Sequence, residues 1–321
     1  MTGLPTRRLR DSELEVTVVG LGCNNFGRRI GLEETREVID AALEAGINFL
    51  DTADIYGEGR SEEMIGAALG GRRDGVIVAT KFGMDKSGTL PGAPGSAPDV
   101  RAACEASLRR LRTDTIDLLQ YHRPNWDVPI EETLDALDDL VKEGKVRYAG
   151  CSNFSAGQLL EAERVSRTAE LVHFVSLQNE YSLLRREIER DVIPVCESLG
   201  IAVLPYFPLA SGLLSGKYTR GAAAPSGSRL ANRDEIASDV DWDALEALQR
   251  FASERGIELI DVAIGALAAQ PMVASVISGA KTPEQVRRNA QAGLWEPSPE
   301  DLDEIDRIVP PRRPFVFRRR P

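Results

Sequence analysis

Histidine, cysteine and lysine are the scarce residues of this 321-residue chain. Two histidines, His122 and His173, are too few to build a histidine-based metal centre, and no metal is expected. The four cysteines, Cys23, Cys104, Cys151 and Cys196, include no C-x-x-C pair and fall within regular apolar patterns. That usage fits a reduced, cytoplasmic protein. Only six of the 39 basic residues are lysines, so the place of each lysine is informative. The N-terminal stretch MTGLPTRRLRDSELEV lacks the apolar core of a signal peptide, and no apolar run approaches the length of a membrane span. No membrane association is expected. The net charge of −11 argues against a nucleic-acid partner, whose phosphates would be repelled.

What the chain does have is rhythm. Eight β-branched runs read as strands: VTVVGLG from Val16, INFLDTA from Ile47, VIVATKF from Val76, IDLLQYH from Ile116, VRYAGCS from Val146, FVSLQNE from Phe174, IAVLPYF from Ile201 and VASVISG from Val273. Each is nearly continuous in apolar residues, as in a parallel strand covered on both faces. Helical patterns separate them, over Glu33–Ala45, Ser61–Leu69, Pro98–Leu111, Ile130–Val141, Ala156–Val165, Glu187–Leu199, Trp242–Arg255 and Pro283–Ala290, with an extra helix over Asp261–Ala269. Strict alternation with right-handed crossovers predicts an α/β fold: a single (β/α)8 TIM barrel with its active site at the C-terminal face. An open doubly wound sheet is disfavoured because no G-x-G-x-x-G follows a strand. The whole chain reads as one domain, with a core over about residues 16–295 and a basic tail over 310–321. Two loops break the rhythm, Met84–Asp99 and Thr219–Asp239, and both emerge at the predicted active face.

Asp51 ends the second predicted strand, Tyr56 follows in its loop, Lys81 closes the third and His122 the fourth. Barrel geometry aims all four at one mouth. Carbonyl reduction needs a proton for the oxygen, and tyrosine, with a reference pKa near 10, is a poor acid on its own. An ammonium about 4 Å away in an effective dielectric of about 20 favours the phenolate by about 4 kcal/mol, so a lowering of roughly two to three pKa units is expected for Tyr56. Asp51 would keep that ammonium charged, and His122 would orient the substrate oxygen. Taken singly, each residue has a bland reading: a structural ion pair, a structural histidine, a surface tyrosine. A Schiff-base aldolase using Lys81 is a third chemistry, opposed by the adjacent Asp51.

The segment LDTADIYGEGRSEEMIGAAL (residues 50–69) resembles the aldo-keto reductase signature. So do VIVATKFG, DLLQYHRP, EGKVRYAGCSNFS, SLQNEYSLLRR, YFPLASGLLSGKY and VISGAKTPEQVRRN, in order from about Val16 to Trp295. The resemblance implies a catalytic tetrad of Asp51, Tyr56, Lys81 and His122, with Tyr56 as proton donor. It further implies a nicotinamide cofactor, NADPH with NADH as the alternative. Gly22 and Cys23 would lie beside the nicotinamide ribose, and Ser152, Asn153 and Gln178 would hold the carboxamide. Tyr206 would stack on the ring. The run Phe207, Pro208, Leu209, Ser211, Gly212 and Lys217 matches the pyrophosphate loop, and Gly279, Lys281, Gln285, Arg288 and Asn289 match the adenosine motif. Lys281 and the helix opening at Thr282-Pro283 would face a 2′-phosphate.

Three positions depart from the family pattern: Phe207 where serine is common, Gln285 where arginine is common, and Arg288 where an acidic residue often meets the adenine. The resemblance implies reduction of a small-molecule aldehyde or ketone by a monomer or small homo-oligomer. Asn24, Phe26, Trp126 and the loop after the third strand would line the substrate pocket, and Phe315 and Phe317 of the tail could cover it. A cofactor-sensing regulatory subunit is the alternative, since some relatives of this fold attach to a membrane channel.

Overall fold

A computed structural model describes residues 3–84, 91–222 and 240–311. Phe315, Phe317, residues 85–90 of the first long loop and residues 223–239 of the second lie outside that range.

The chain opens with a feature that the strand pattern did not reveal. Strands β1 (Thr6–Arg8) and β2 (Glu15–Thr17) pair antiparallel as a hairpin. Eight parallel strands follow: β3 (Val19–Gly22), β4 (Phe49–Asp51), β5 (Ile77–Phe82), β6 (Ile116–Tyr121), β7 (Val146–Ser152), β8 (Phe174–Gln178), β9 (Ala202–Val203) and β10 (Val276–Gly279). The sheet runs β10-β3-β4-β5-β6-β7-β8-β9. Its two ends meet: Ala274 N donates to Val203 O at 2.9 Å and Ile277 N to Pro205 O at 2.9 Å. The sheet is therefore closed, and the structure is the (β/α)8 barrel expected.

Among the described residues ten helices flank it: α1 (Leu32–Glu44), α2 (Arg60–Leu69), α3 (Ala97–Leu111), α4 (Ile130–Lys142), α5 (Ala156–Ala169), α6 (Val192–Leu199), α7 (Trp242–Glu254), α8 (Leu259–Ala268), α9 (Pro283–Ala292) and α10 (Pro299–Ile308). Three expectations need correction. The helix read over 187–199 is a short 3-10 turn followed by α6, whose third residue is Pro194. Proline lacks an N–H and is tolerated only in a first turn, so the helix starts late. The strand read from Val16 starts at Val19, because Val16 belongs to the hairpin. Helix α10 was not foreseen at all; its Ser298–Asp301 capping box marks its start.

Alternation along the strands grades the barrel interior from apolar to polar. Phe49 precedes Asp51 on the inner face of β4, Ile77 and Ala79 precede Lys81 on β5, and Leu118 precedes Gln120 on β6. At the floor these residues pack with Leu9, Leu14 and Val16 of the hairpin. The hairpin thus plugs the N-terminal end, and the polar residues are left at the opposite mouth. The outward partners, Leu50, Val78, Phe82, Leu119 and Tyr121, pack in the layer between sheet and helices.

Candidate active site

At the mouth, Lys81 is 1% exposed and Asp51 3%. Lys81 Nζ donates to Asp51 Oδ1 at 2.9 Å, to Asp51 Oδ2 at 2.8 Å and to the Thr52 carbonyl at 2.7 Å. Burial disfavours the ammonium, but the charge of Asp51 and the hydrogen bonds outweigh it, and the Lys81 pKa lies above its ordinary value. The carboxylate is held from its other side as well: Gln178 Nε2 donates to Asp51 Oδ1 at 2.8 Å and Gln120 Nε2 at 3.2 Å. Gln120 was missed in the sequence, although its place two residues before His122 puts both on one face of β6.

Tyr56 and His122 complete the group. Lys81 Nζ lies 5.1 Å from the Tyr56 ring centroid, and the Tyr56 and His122 rings meet edge to face at 6.0 Å. The expected lowering of the Tyr56 pKa is not what the balance gives. Burial raises it, Lys81 pulls it down, and the charge of Asp51 pushes it up again, so the phenol sits above 10.0 and is protonated at neutral pH. For His122, burial and then the charges of Lys81 and Arg123 push the pKa down to about 3. The imidazole is neutral, and its Nδ1 is buried without a partner among the described residues.

These groups open into a cavity of about 900 Å³ that runs across the mouth. It is lined by every one of the residues assigned above to the cofactor and by Tyr56 and His122; Lys81 lies just beneath its surface. Gly22 and Gly279 are register partners on neighbouring strands, so no side chain fills the cavity between them. Asn153 has a left-handed backbone (φ 61), and its amide is engaged on both sides. It donates to His122 O at 2.9 Å and accepts from the Tyr206 hydroxyl at 2.8 Å. Ser152 Oγ donates to Gln178 O at 2.7 Å. The Phe207–Gly212 turn has positive φ at Phe207, Ala210, Ser211 and Gly212. A Cβ on Gly212 would stand 3.3 Å from Lys217 Nζ, so glycine keeps this bend open to the lysine.

At the far end of the cavity the cations are not all available. Arg288 donates from Nε to Glu258 at 2.9 Å and in a fork to both oxygens of Asp261 at 2.6 and 2.7 Å. The N-terminus of α9 is also engaged: Gln285 Oε1 accepts from Lys281 N at 2.8 Å, and Thr282 Oγ1 accepts from Gln285 N at 3.4 Å. The Glu284 carboxylate lies against its own N–H and the Thr282 hydroxyl, which lower its pKa. The resemblance implies an anion at this helix terminus; in the structure the terminus and Arg288 are both already met by oxygen acceptors.

Two expected pocket residues lie elsewhere. Phe26 is fully buried in the core, and Trp126 is 82% exposed and outside the cavity lining. Asn24 and Met84 do line it. Four arginines that the sequence did not single out, Arg28, Arg29, Arg60 and Arg123, stand at its rim.

Residues 18–310 match the family model described as the Aldo/keto reductase family. The chain is 34% identical over 330 residues to a probable voltage-gated potassium channel subunit beta of Arabidopsis thaliana, covering 97% of this chain and 99% of that one. It is 35% identical over 292 residues to the uncharacterized oxidoreductase YqkF of Bacillus subtilis (strain 168), covering 89% and 90%. Among solved structures, the glycerol dehydrogenase AKR11B4 from Gluconobacter oxydans superposes with a TM-score of 0.82 at 30% identity, over 95% of this chain and 94% of that one. With the barrel closed, the mouth polar and the match spanning nearly its whole length, the chain belongs to the aldo/keto reductase family.

Proposed function

We propose that this protein reduces aldehyde or ketone carbonyls to alcohols with a reduced nicotinamide dinucleotide, Tyr56 giving the proton. The observation that carries the reading is the buried Asp51–Lys81 pair set against Tyr56, with a neutral His122 beside it, at the wall of one long cavity. The cavity suits such a cofactor. Its floor is glycine at Gly22 and Gly279, its bend at Gly212 adjoins Lys217, and Asn24 Oδ1 is buried there without a partner among the described residues. Ser152, Asn153 and Gln178 would hold the carboxamide, Gly22 and Cys23 the ribose, Tyr206 the ring face, the Phe207–Lys217 turn the pyrophosphate, and Gly279, Lys281, Gln285, Arg288 and Asn289 the adenosine. Bound there, the reduced cofactor supplies the hydride.

The residues do the rest. His122, uncharged, can donate one hydrogen bond to the carbonyl oxygen without giving up a proton of its own. Tyr56, protonated at neutral pH, transfers its proton to that oxygen as negative charge develops there. Lys81 stabilises the phenolate left behind, and Asp51, held by Gln120 and Gln178, keeps Lys81 charged through the step. A lysine so firmly protonated is no Schiff-base nucleophile, which removes the aldolase reading.

NADPH is the cofactor implied by Lys281, which has no carboxylate partner among the described residues. The clamp on Arg288 by Glu258 and Asp261 weakens that preference and supports use of NADH as well. The test is a titration with each cofactor followed by fluorescence quenching, then turnover on an aldehyde panel. Tyr56→Phe should bind cofactor as before and lose at least about 10²-fold in kcat. A second reading rests on the relative named as a probable channel subunit beta: cofactor binding coupled to a partner protein, without turnover. Tight cofactor binding with no turnover on any carbonyl would favour it.

A further inference from the structure

The rim of the cavity is cationic where the rest of the chain is acidic. Many guanidinium groups meet carboxylates: Arg110 pairs with Glu62, Arg73 and Arg147 with Asp117, Arg10 and Arg167 with Glu163. Arginines without such a partner among the described residues are scattered singly over the barrel, as at Arg185, Arg250 and Arg307, but four of them gather at the mouth. Arg28 and Arg29 follow β3, Arg60 opens α2 four residues after Tyr56, and Arg123 follows His122 directly; all are exposed, and all line the cavity. None has a carboxylate partner among the described residues, and Glu58 is the single acid on that rim. Arg60 is held in place, its Nε donating to Gly57 O at 3.0 Å and its Cβ abutting the Gly27 turn that precedes Arg28. Arg123 is near enough to His122 to depress its pKa.

Guanidiniums gathered at one opening with no carboxylate partner among the described residues, in a chain with a net charge of −11, create a local field that draws in anions against the global charge. The planar fork of arginine also suits carboxylate and phosphate oxygens. Two anions could meet it: the cofactor's own pyrophosphate or a charged group on the substrate. The pyrophosphate already has the Phe207–Lys217 turn after β9. Arg60 and Arg123 come from the strand ends that flank β5, across the barrel from that turn; Arg123 follows His122 and Arg60 lies four residues after Tyr56, the two residues assigned to the carbonyl oxygen. We infer that the substrate is an anionic carbonyl compound, an aldehyde or ketone with a carboxylate or phosphate beside it, recognised by Arg60 and Arg123 with Arg28 and Arg29 adding to the field. This rests on the reductase reading above and narrows its substrate class.

The experiment compares 4-carboxybenzaldehyde with 4-methylbenzaldehyde, which differ in charge and little in size. Dissociation constants are measured on the protein saturated with oxidised cofactor, where reduction cannot occur, and kcat/KM is measured with reduced cofactor. The anionic aldehyde should be favoured about tenfold or more in both, and the preference should shrink as salt rises from about 10 mM to about 500 mM. Arg60→Ala, Arg123→Ala and the Arg28→Ala/Arg29→Ala double variant should each lower the ratio, while cofactor dissociation constants move little. Equal binding of the two aldehydes by the wild-type protein overturns the inference. So does a ratio unchanged in all variants while cofactor binding weakens, which would assign the arginines to the pyrophosphate. Preferential binding of the anion without turnover would keep the anion site and sink the reductase reading instead.

Discussion

Lys81 keeps three acceptors within 2.9 Å, two of them the oxygens of Asp51, while Asp51 keeps two amide donors besides Lys81. The pair is therefore unequal. In Asp51→Asn the ammonium, fully buried, is left with one backbone carbonyl and a neutral amide. In Lys81→Met the carboxylate still has Gln120 and Gln178.

Breaking a buried pair from one side costs about 3–5 kcal/mol when the remaining charge is stranded. Asp51→Asn should approach that cost in urea unfolding, and Lys81→Met roughly half of it, since charge-assisted hydrogen bonds remain. Both should lose turnover. Equal destabilisation would mean that Gln120 and Gln178 do not support the carboxylate, and that the amide contacts are incidental.

Two buried groups give stability opposing pH dependences. His122 has its folded pKa lowered from 6.5 to about 3, so the unfolded chain takes up its proton first as pH falls, and stability is lost below about 6.5. Asp54 is the reverse. Burial and then the charge of Glu62 raise its pKa from 3.8 to about 7, so the folded chain holds the proton more tightly, and stability is lost as pH rises from about 4 to about 7. Between about pH 4 and pH 6.5 the two slopes offset. Asp54→Asn should remove one of them: the stability of wild type relative to this variant should fall by about 3 kcal/mol from pH 4 to pH 7, at 1.36 kcal/mol per pKa unit. Chemical denaturation across that range measures it, and a pH-independent difference would show that Asp54 does not titrate there.

The cofactor preference should respond to the carboxylates around Arg288. Glu258→Gln removes the carboxylate charge on the Nε edge of Arg288 while sparing the Asp261 fork, and Asp261 also accepts from Glu258 N at 2.8 Å. NADPH binding should tighten about three- to tenfold relative to NADH, the scale of one partly exposed charge pair. Lys281→Ala should act in the opposite sense, weakening NADPH and sparing NADH. Parallel changes for both cofactors would place Glu258 and Lys281 away from the 2′ position.

Much of this was written in the strand ends. Asp51, Lys81 and His122 each end an apolar run, and alternation on a closed parallel sheet leaves such residues little choice of direction. Residues whose role depends on tertiary packing were not legible. Arg288 meets Glu258 across 30 residues because α8 and α9 pack together, and no local pattern announces that pairing. The sign of the Tyr56 shift is not legible for the same reason: the sequence places Lys81 beside it, but the extent of burial and the opposing field of Asp51 are properties of the assembled mouth. The resemblance places Trp126 in the pocket by analogy of position, and position along a loop does not fix which way the loop folds.

Glycine at helix contacts offers a test of the packing itself. Gly66 lies in α2 with ordinary helical φ, yet a Cβ there would stand 2.6 Å from Arg110 O and 2.7 Å from Leu111 C, at the contact with α3. Backbone atoms cannot swing aside as a side-chain tip can, so the helices must separate. Gly157, in the first turn of α5, has nothing within 4 Å of the same position. Gly66→Ala should cost about 1–3 kcal/mol by overpacking, despite a gain in helix propensity. Gly157→Ala should add about 0.5 kcal/mol, because the unfolded chain loses freedom and nothing in the fold is disturbed. Midpoints of urea unfolding should thus move in opposite directions for the same chemical change. If Gly66→Ala proved neutral, α2 and α3 would have to be looser than their contact implies, and the loop that carries Tyr56 into α2 would lose its rigid anchor.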